Sequence, residues 1–248
     1  MTSALLRSSL DLFLPPTCIL CTARCIERPI PGARICAACL ARLHDPRPRC
    51  VRCAVLSASP TCSACRAKPP PFDRTIVFAD YRPPLDRAIH ALKYRGELSI
   101  ASTLGALLAP HGLALRAALD EGTVLTAVPL SPARLRERGF NQALEIARPI
   151  GRALSTRVAA GAVSRVRFAQ AQARLRPGER SRNTRQAFEA HHHAVSGRAV
   201  IVVDDVMTTG ATLAALAHAL KDAGALSVTN LVVTRTPIDH VQRCPGPP

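Results

Sequence analysis

Asp204 and Asp205 stand side by side, and Thr208, Thr209, Gly210 and Thr212 follow them closely. Two adjacent carboxylates are good acceptors for vicinal hydroxyls. Threonine hydroxyls, together with the free backbone N–H groups at the start of a helix, are good donors to a phosphate. Gly210 would let the backbone approach that phosphate closely. A sugar phosphate satisfies both halves of the stretch at once, and ribose 5-phosphate is the natural candidate.

The residues around the pair say what must hold it. Ala199-Val200-Ile201-Val202-Val203 is apolar without alternation, which suits a strand buried on both faces, as in the middle of a parallel sheet. The apolar run stops at the acids. Leu213, Leu216 and Leu220 then recur at helical spacing, and Gly224 closes the helix. A Rossmann-like or receiver sheet could also carry an acidic turn after a strand. Strand, acids, hydroxyls, glycine and helix in this order are more specific than Asp-Asp alone.

Val202-Val203-Asp204-Asp205-Val206-x-Thr208-Thr209-Gly210-x-Thr212 resembles the phosphoribosyl pyrophosphate (PRPP) loop of type I phosphoribosyltransferases. The resemblance implies that Asp204 and Asp205 meet the ribose 2′ and 3′ hydroxyls. It implies also that Val206, Met207, Thr208, Thr209, Gly210, Ala211 and Thr212 form the loop that holds the 5-phosphate.

A second chemistry sits at the other end of the chain. Eight of the 10 cysteines form four Cys-x-x-Cys pairs, Cys18/Cys21, Cys36/Cys39, Cys50/Cys53 and Cys62/Cys65. Each pair puts two thiolates on one tight turn, and two turns complete a tetrahedron, so two zinc sites are expected. Consecutive pairing gives a double zinc ribbon and alternate pairing gives a cross-brace; the ribbon is preferred. Disulfides fit poorly with a chain that shows no secretion signal, and an iron–sulfur cluster is not excluded by spacing. Cys25 and Cys244 fall outside the pattern. With little apolar material nearby, the metal is expected to fold residues 18–68.

Between these ends, residues 1–17 read as a short amphipathic leader helix, with Leu6, Leu10 and Phe13 at helical spacing. Pro69-Pro70-Pro71 begins a stiff linker, residues 69–73. A strand from Arg74 to Tyr81, a helix through Leu85, Ile89 and Leu92, a helix from Leu98 that stops near Pro110, and a strand from Thr123 to Leu130 follow. Strands alternating with helices predict a mostly parallel α/β sheet over residues 74–238, with residues 239–248 as a disordered tail. Arg134, Arg136 and Arg138 are expected in a loop at a strand's C-terminal end, where such sheets bind ligands. Pro149 should break the helix after Asn141. His191-His192-His193 reads as an exposed polar turn rather than a metal site.

Val128-Pro129-Leu130, Arg138-Gly139-Phe140-Asn141-Gln142, the four knuckles, Pro70-Pro71-Phe72-Asp73 and Leu92-Lys93-Tyr94-Arg95-Gly96 together resemble the competence protein F (ComF) family. Gln172, Leu175, Glu179, Arg180, Asn183 and Phe188 extend the likeness over nearly the whole chain. It implies an N-terminal zinc module joined to a type I phosphoribosyltransferase-like domain. Residues 128–142 would be the pyrophosphate loop and residues 169–183 a flap, with Ala169 standing where the family has Thr. Catalysis would displace pyrophosphate from C1 of PRPP with Mg2+. Asp204 and Asp205 would anchor the ribose, while Arg138, Gly139 and Lys93 would meet the diphosphate.

Net charge is +16, and all but three of the 33 Lys and Arg are Arg. Such an excess implies anionic partners, whether phosphorylated metabolites or nucleic acid. A rival reading therefore makes the fold a non-catalytic module that grips single-stranded DNA during DNA uptake or utilisation. With two Tyr, six Phe and no Trp, a stacking platform for such a strand would have few members. No run reads as a membrane span, and the expected location is the cytoplasm.

Overall fold

The computed structural model describes residues 16–25, 27–117, 122–166 and 187–237. The expected leader helix, the flap at 169–183 and the tail at 239–248 lie outside the described residues, apart from the leader's last two positions.

Two short helices, α1 (Ala37–Leu43) and α2 (Ser63–Ala67), belong to the cysteine-rich segment. Then come β1 (Arg74–Asp80), α3 (Leu85–Arg95), α4 (Leu98–Ala117), β2 (Val124–Ala127), α5 (Pro132–Arg138) and α6 (Gln142–Ala153). The chain continues with β3 (Val163–Arg165), β4 (Phe188–Ala190), α7 (His192–Val195), β5 (Ala199–Met207), α8 (Ala211–Asp222) and β6 (Ser227–Arg235). The main sheet has the order β1-β6-β5-β2 and is parallel throughout; β3 and β4 form a separate antiparallel pair.

Side-chain alternation along the central strands builds two cores. Ile201, Val203, Leu231 and Val233 face one side and join α3, α4 and α6 through Leu92, Leu104, Leu107, Ile146 and Ile150. Val200, Val202, Val228 and Val232 face the other and meet Leu213, Leu216 and Leu220 of α8. Covered on both faces, the first five residues of β5 have no use for polar alternation and read as an apolar run, whereas β6 buries Thr229, Asn230, Thr234 and Arg235 among its valines.

The cysteine-rich segment divides between these cores. Cys18, Ile35, Cys39 and Leu43 pack on the α4 side, whereas Cys50, Cys53, Cys65 and Phe72 pack on the α8 side. The stretch after the prolines is fastened to the sheet: Asp73 N donates to the Val228 carbonyl and Asp73 Oδ2 accepts from Val228 N, both at 2.8 Å. Thr75 N reaches the Val51 carbonyl at 3.0 Å.

Six expectations need correcting. α4 runs through Pro110, and α6 runs through Pro149. In α6 the residues Ala143, Ile146, Ala147 and Ile150 are buried, and their apolar burial outweighs the roughly 3 kcal/mol that an interior proline costs. Gly105 permits the crossing of α4 and α6, since a Cβ there would lie 2.4 Å from the Ile146 carbonyl oxygen and 2.8 Å from the Pro149 ring. β2 is shorter than Thr123 to Leu130, and Arg134, Arg136 and Arg138 sit on α5, capped by Ser131, rather than in a loop. β5 does not end at the acids but continues through both to Met207, with Asp204 opposite Val232 and Met207 opposite Arg235. Finally, the window Leu98–Leu115 of α4 is long and apolar enough to cross a membrane, by length and composition only, and 61% of it is buried. Its apolar surface faces the core.

Candidate functional site

Two groups of four thiols assemble among the described residues: Cys18, Cys21, Cys36 and Cys39, and Cys50, Cys53, Cys62 and Cys65. In each group the sulfurs all lie within 4.8 Å of one another. Pairing is therefore consecutive, as a double ribbon requires. Cys21 and Cys36 sulfurs are 3.7 Å apart, as are those of Cys53 and Cys62. A tetrahedral zinc with Zn–S of about 2.3 Å has sulfur–sulfur edges of about 3.8 Å, so both groups could hold structural zinc.

The thiols' acidity fits a cation. Burial works to raise Cys18, but backbone N–H groups of Cys36, Leu20 and Cys21 outweigh it and bring the thiol to about 7. Cys50 is likewise lowered to about 7 by the backbone of Cys53, Cys62 and Arg52 against its burial. Burial and the neighbouring thiols push Cys39 and Cys65 well up. Four crowded sulfurs cannot all ionise alone, and a divalent ion removes that penalty. Cys25, outside the pattern, is buried beside the first group, and burial and the Cys18 sulfur raise it.

The second centre forms at the carboxyl end of β5. Asp204 and Asp205 are only 9% and 4% exposed. Lys93, on α3, places Nζ 2.7 Å from Asp205 Oδ2. Asp204 Oδ1 accepts from Asp205 N at 2.9 Å, and Asp205 Oδ1 from Val206 N at 2.8 Å. One lysine beside two buried acids leaves one negative charge in excess. Burial first, and the Asp205 charge second, hold the Asp204 carboxyl well above its usual range.

Thr208 to Thr212 follow as an exposed turn around Gly210, and α8 begins at Ala211 with no acid in its first turn. Met207 and Val206 are strand residues rather than loop residues. Thr209 Oγ1 accepts from Ala211 N at 3.3 Å. Gly210 has φ +82, and a Cβ there would meet Met207 Cε at 2.5 Å. The methionine tip can move, so the backbone angle decides the cost. Gly210→Ala is expected to lose about 1–2 kcal/mol of stability in urea unfolding; an unchanged midpoint would show that the turn relaxes freely.

No motif pointed to what fixes this turn from below. Arg235, 1% exposed, donates through Nη1 to the Thr208 carbonyl at 3.0 Å. Thr234 Oγ1 donates to the Asp205 carbonyl at 3.1 Å, and Thr236 N to the Met207 carbonyl at 3.0 Å. A Thr-Arg-Thr run ending the last strand was the only available hint.

Arg138-Gly139 lies next to the Lys93-Tyr94 segment. The Arg138 guanidinium sits 5.3 Å from the centre of the Tyr94 ring, and Arg138 Nη1 donates to Gln142 Oε1 at 3.2 Å. Gly139, at φ +75, caps α5. Asn141 is structural: its Oδ1 accepts from Ala143 and Leu144 N, and its Nδ2 donates to the Val128 carbonyl at 3.0 Å. His191, His192 and His193 are exposed, as read from sequence.

Comparison with known proteins agrees with this architecture. The phosphoribosyl transferase domain family matches residues 143–242. The DNA utilization protein YhgH of Escherichia coli O6:H1 is 36% identical over 206 residues, covering 82% of this chain and 90% of that protein. Competence protein F of Haemophilus influenzae is 31% identical over 170 residues, covering 66% and 73%. Among solved structures, the allosteric regulatory enzyme of purine biosynthesis aligns with 54% of this chain and 26% of its own at 21% identity and a TM-score of 0.38, too loose to carry more than mention.

Proposed function

The chain belongs to the competence protein F family, with the YhgH proteins among its relatives, and from that premise we propose that it binds PRPP or another ribose 5-phosphate at the carboxyl end of β5 and acts in DNA utilisation or competence. The observation that carries this reading is the buried Asp204-Asp205 pair near the carboxyl end of β5, followed two residues later by an exposed Thr-Thr-Gly-x-Thr turn that opens α8. Such a junction offers acceptors to vicinal hydroxyls and N–H donors to a phosphate within one ligand's length.

In this reading Asp204 and Asp205 accept from the ribose hydroxyls. Thr208, Thr209, Gly210, Ala211 and Thr212 surround the 5-phosphate. Arg138 and Gly139 lie on the diphosphate side. Lys93 pairs with Asp205 Oδ2 at 2.7 Å and would turn toward a phosphate as the ribose takes its place on the carboxylate. The two carboxylates are hard oxygen donors of the kind Mg2+ accepts, and Mg2+ would supply charge neutralisation of a diphosphate. Zinc in the two four-cysteine groups is structural, and we place the protein in the cytoplasm, where such thiols stay reduced.

Calorimetric titration of the zinc-loaded protein with PRPP and Mg2+ tests the reading. Saturable binding by wild type is expected, weakened at least tenfold by Asp205→Asn, which removes one charged hydrogen-bond acceptor of the kind typically worth about 1.5–3 kcal/mol. A folded wild type that gives no heat with PRPP sinks it.

A further inference from the structure

The ring of Tyr94 is 59% exposed, yet it is not loose. Arg138 lies over it at 5.3 Å, and the His90 ring packs against it at a centroid distance of 4.5 Å, tilted by 39°. Lys93, the preceding residue, pairs with Asp205, and Arg138, read above on the diphosphate side, lies over the ring, which ties Tyr94 to the proposed site. Beyond His90 the same helix walls a hollow of about 530 Å³ lined by Tyr81, Asp86, Arg87, His90 and Arg95. Of the two tyrosines in a chain without tryptophan, Tyr94 thus packs on His90, and Tyr81 lines the hollow that His90 shares with Asp86, Arg87 and Arg95. Arg138 Nε, buried, has no hydrogen-bond partner among the described residues, so the guanidinium is held chiefly by the ring and by Gln142.

An aromatic ring braced by a cation and an imidazole that still keeps more than half of its surface in solvent is one on which a planar heterocycle can stack. We propose that Tyr94, braced by His90 and Arg138, is the platform for a nucleobase presented beside the ribose-phosphate site. This rests on the reading of that site given above and adds a base-recognition element to it. The base can arrive as a mononucleotide or as part of a single strand; the stacking chemistry is the same, and Arg87 and Arg95 offer cations to phosphate in either case.

The shortage of aromatic residues makes the test direct. In Tyr81→Phe the only tyrosine emission comes from Tyr94, and a base stacked on it quenches that emission. Zinc-loaded Tyr81→Phe is titrated, without PRPP, with AMP, with a short oligodeoxyadenylate, and with an abasic oligonucleotide of equal length. Quenching by AMP or by the base-bearing strand, with none by the abasic strand, is expected, and whichever probe quenches identifies the source of the base. In parallel, anisotropy with a labelled form of the same probe should show Tyr94→Ala about tenfold or more weaker than wild type, in keeping with stacking losses on alanine substitution, and Tyr94→Phe close to wild type. Equal quenching by the abasic strand overturns the proposal, and so does the absence of quenching by any probe. If Tyr94→Ala fails to fold, Tyr94→Leu, which keeps apolar bulk without a π face, must show the same loss. Because the titrations omit PRPP, failure here is read separately from failure of the calorimetric experiment.

Discussion

Stripping metal from this protein is expected to unfold far more than residues 18–68. Folded zinc peptides of similar size draw about 10–16 kcal/mol from one ion at neutral pH, whereas a whole domain holds about 5–15 kcal/mol in total. Here the first thiol group packs with Leu104 and Leu107 on one face of the sheet, and the second packs with Val200 and Leu216 on the other. Loss of either ion therefore exposes part of a core shared with the α/β domain. Two zinc ions per chain should be released by a thiol-blocking reagent, and chelator treatment should lower the melting temperature by more than about 10 °C, since about 1 kcal/mol already moves a domain of this size by about 2–4 °C. Cys50→Ser and Cys39→Ser should each leave one ion bound. The sign of the pH effect follows from the thiols: Cys39 and Cys65 are pushed up by burial and their neighbours, so the ion must displace protons and its affinity falls as pH falls. Fewer than two zinc ions in freshly purified protein, or a melting temperature indifferent to chelation, would remove metal from the account of stability.

How far sequence could have led to this picture depends on which force fixed each part. The start of β5 and the whole of α8 were legible because burial on both faces leaves an unbroken apolar run at Ala199 to Val203, and because Leu213, Leu216 and Leu220 mark a single helix face. The thiol groups were legible because spacing alone makes each knuckle. The two prolines misled, since local backbone rules do not weigh the apolar surface that Ile146, Ile150 and Leu107 bury across the α4–α6 contact. The end of β5 was misplaced for the opposite reason: Asp204 and Asp205 look like a break, but pairing with β6 carries the strand past them. The partners of the acid pair were out of reach. Lys93 and Asp205 are far apart in the chain, and only the α3-to-β5 packing sets them 2.7 Å from each other. The leader and flap expectations stay where the motifs left them, as proposals.

Asp204→Asn should stabilise the free protein while removing its ligand affinity, and the size of the gain should depend on pH in a way that identifies the cause. The folded state holds the Asp204 proton more tightly than the unfolded chain, where the group titrates near its ordinary 3.8. Stability from this group is complete below that value and is lost as pH rises toward the raised folded value, because only the unfolded state releases the proton. The slope is about 1.4 kcal/mol for each pH unit. Asparagine has no such slope, and its side-chain oxygen can still accept from Asp205 N, so packing changes little. The stability difference between variant and wild type should therefore widen by about 1.4 kcal/mol per unit as pH rises above the ordinary carboxylate range, until Asp204 ionises in the fold, where it levels off. Comparing the two proteins cancels the pH dependence of the thiol sites, which they share. Urea unfolding of both across about pH 6–8 measures it. Parallel profiles would mean that Asp204 is ionised in the free protein at neutral pH, with Lys93 shared between both acids. A widening gap together with lost PRPP binding would mean that the fold carries an unfavourable acid for the sake of its ligand: the site is strained while empty, and a ribose hydroxyl pair with its accompanying cation relieves it.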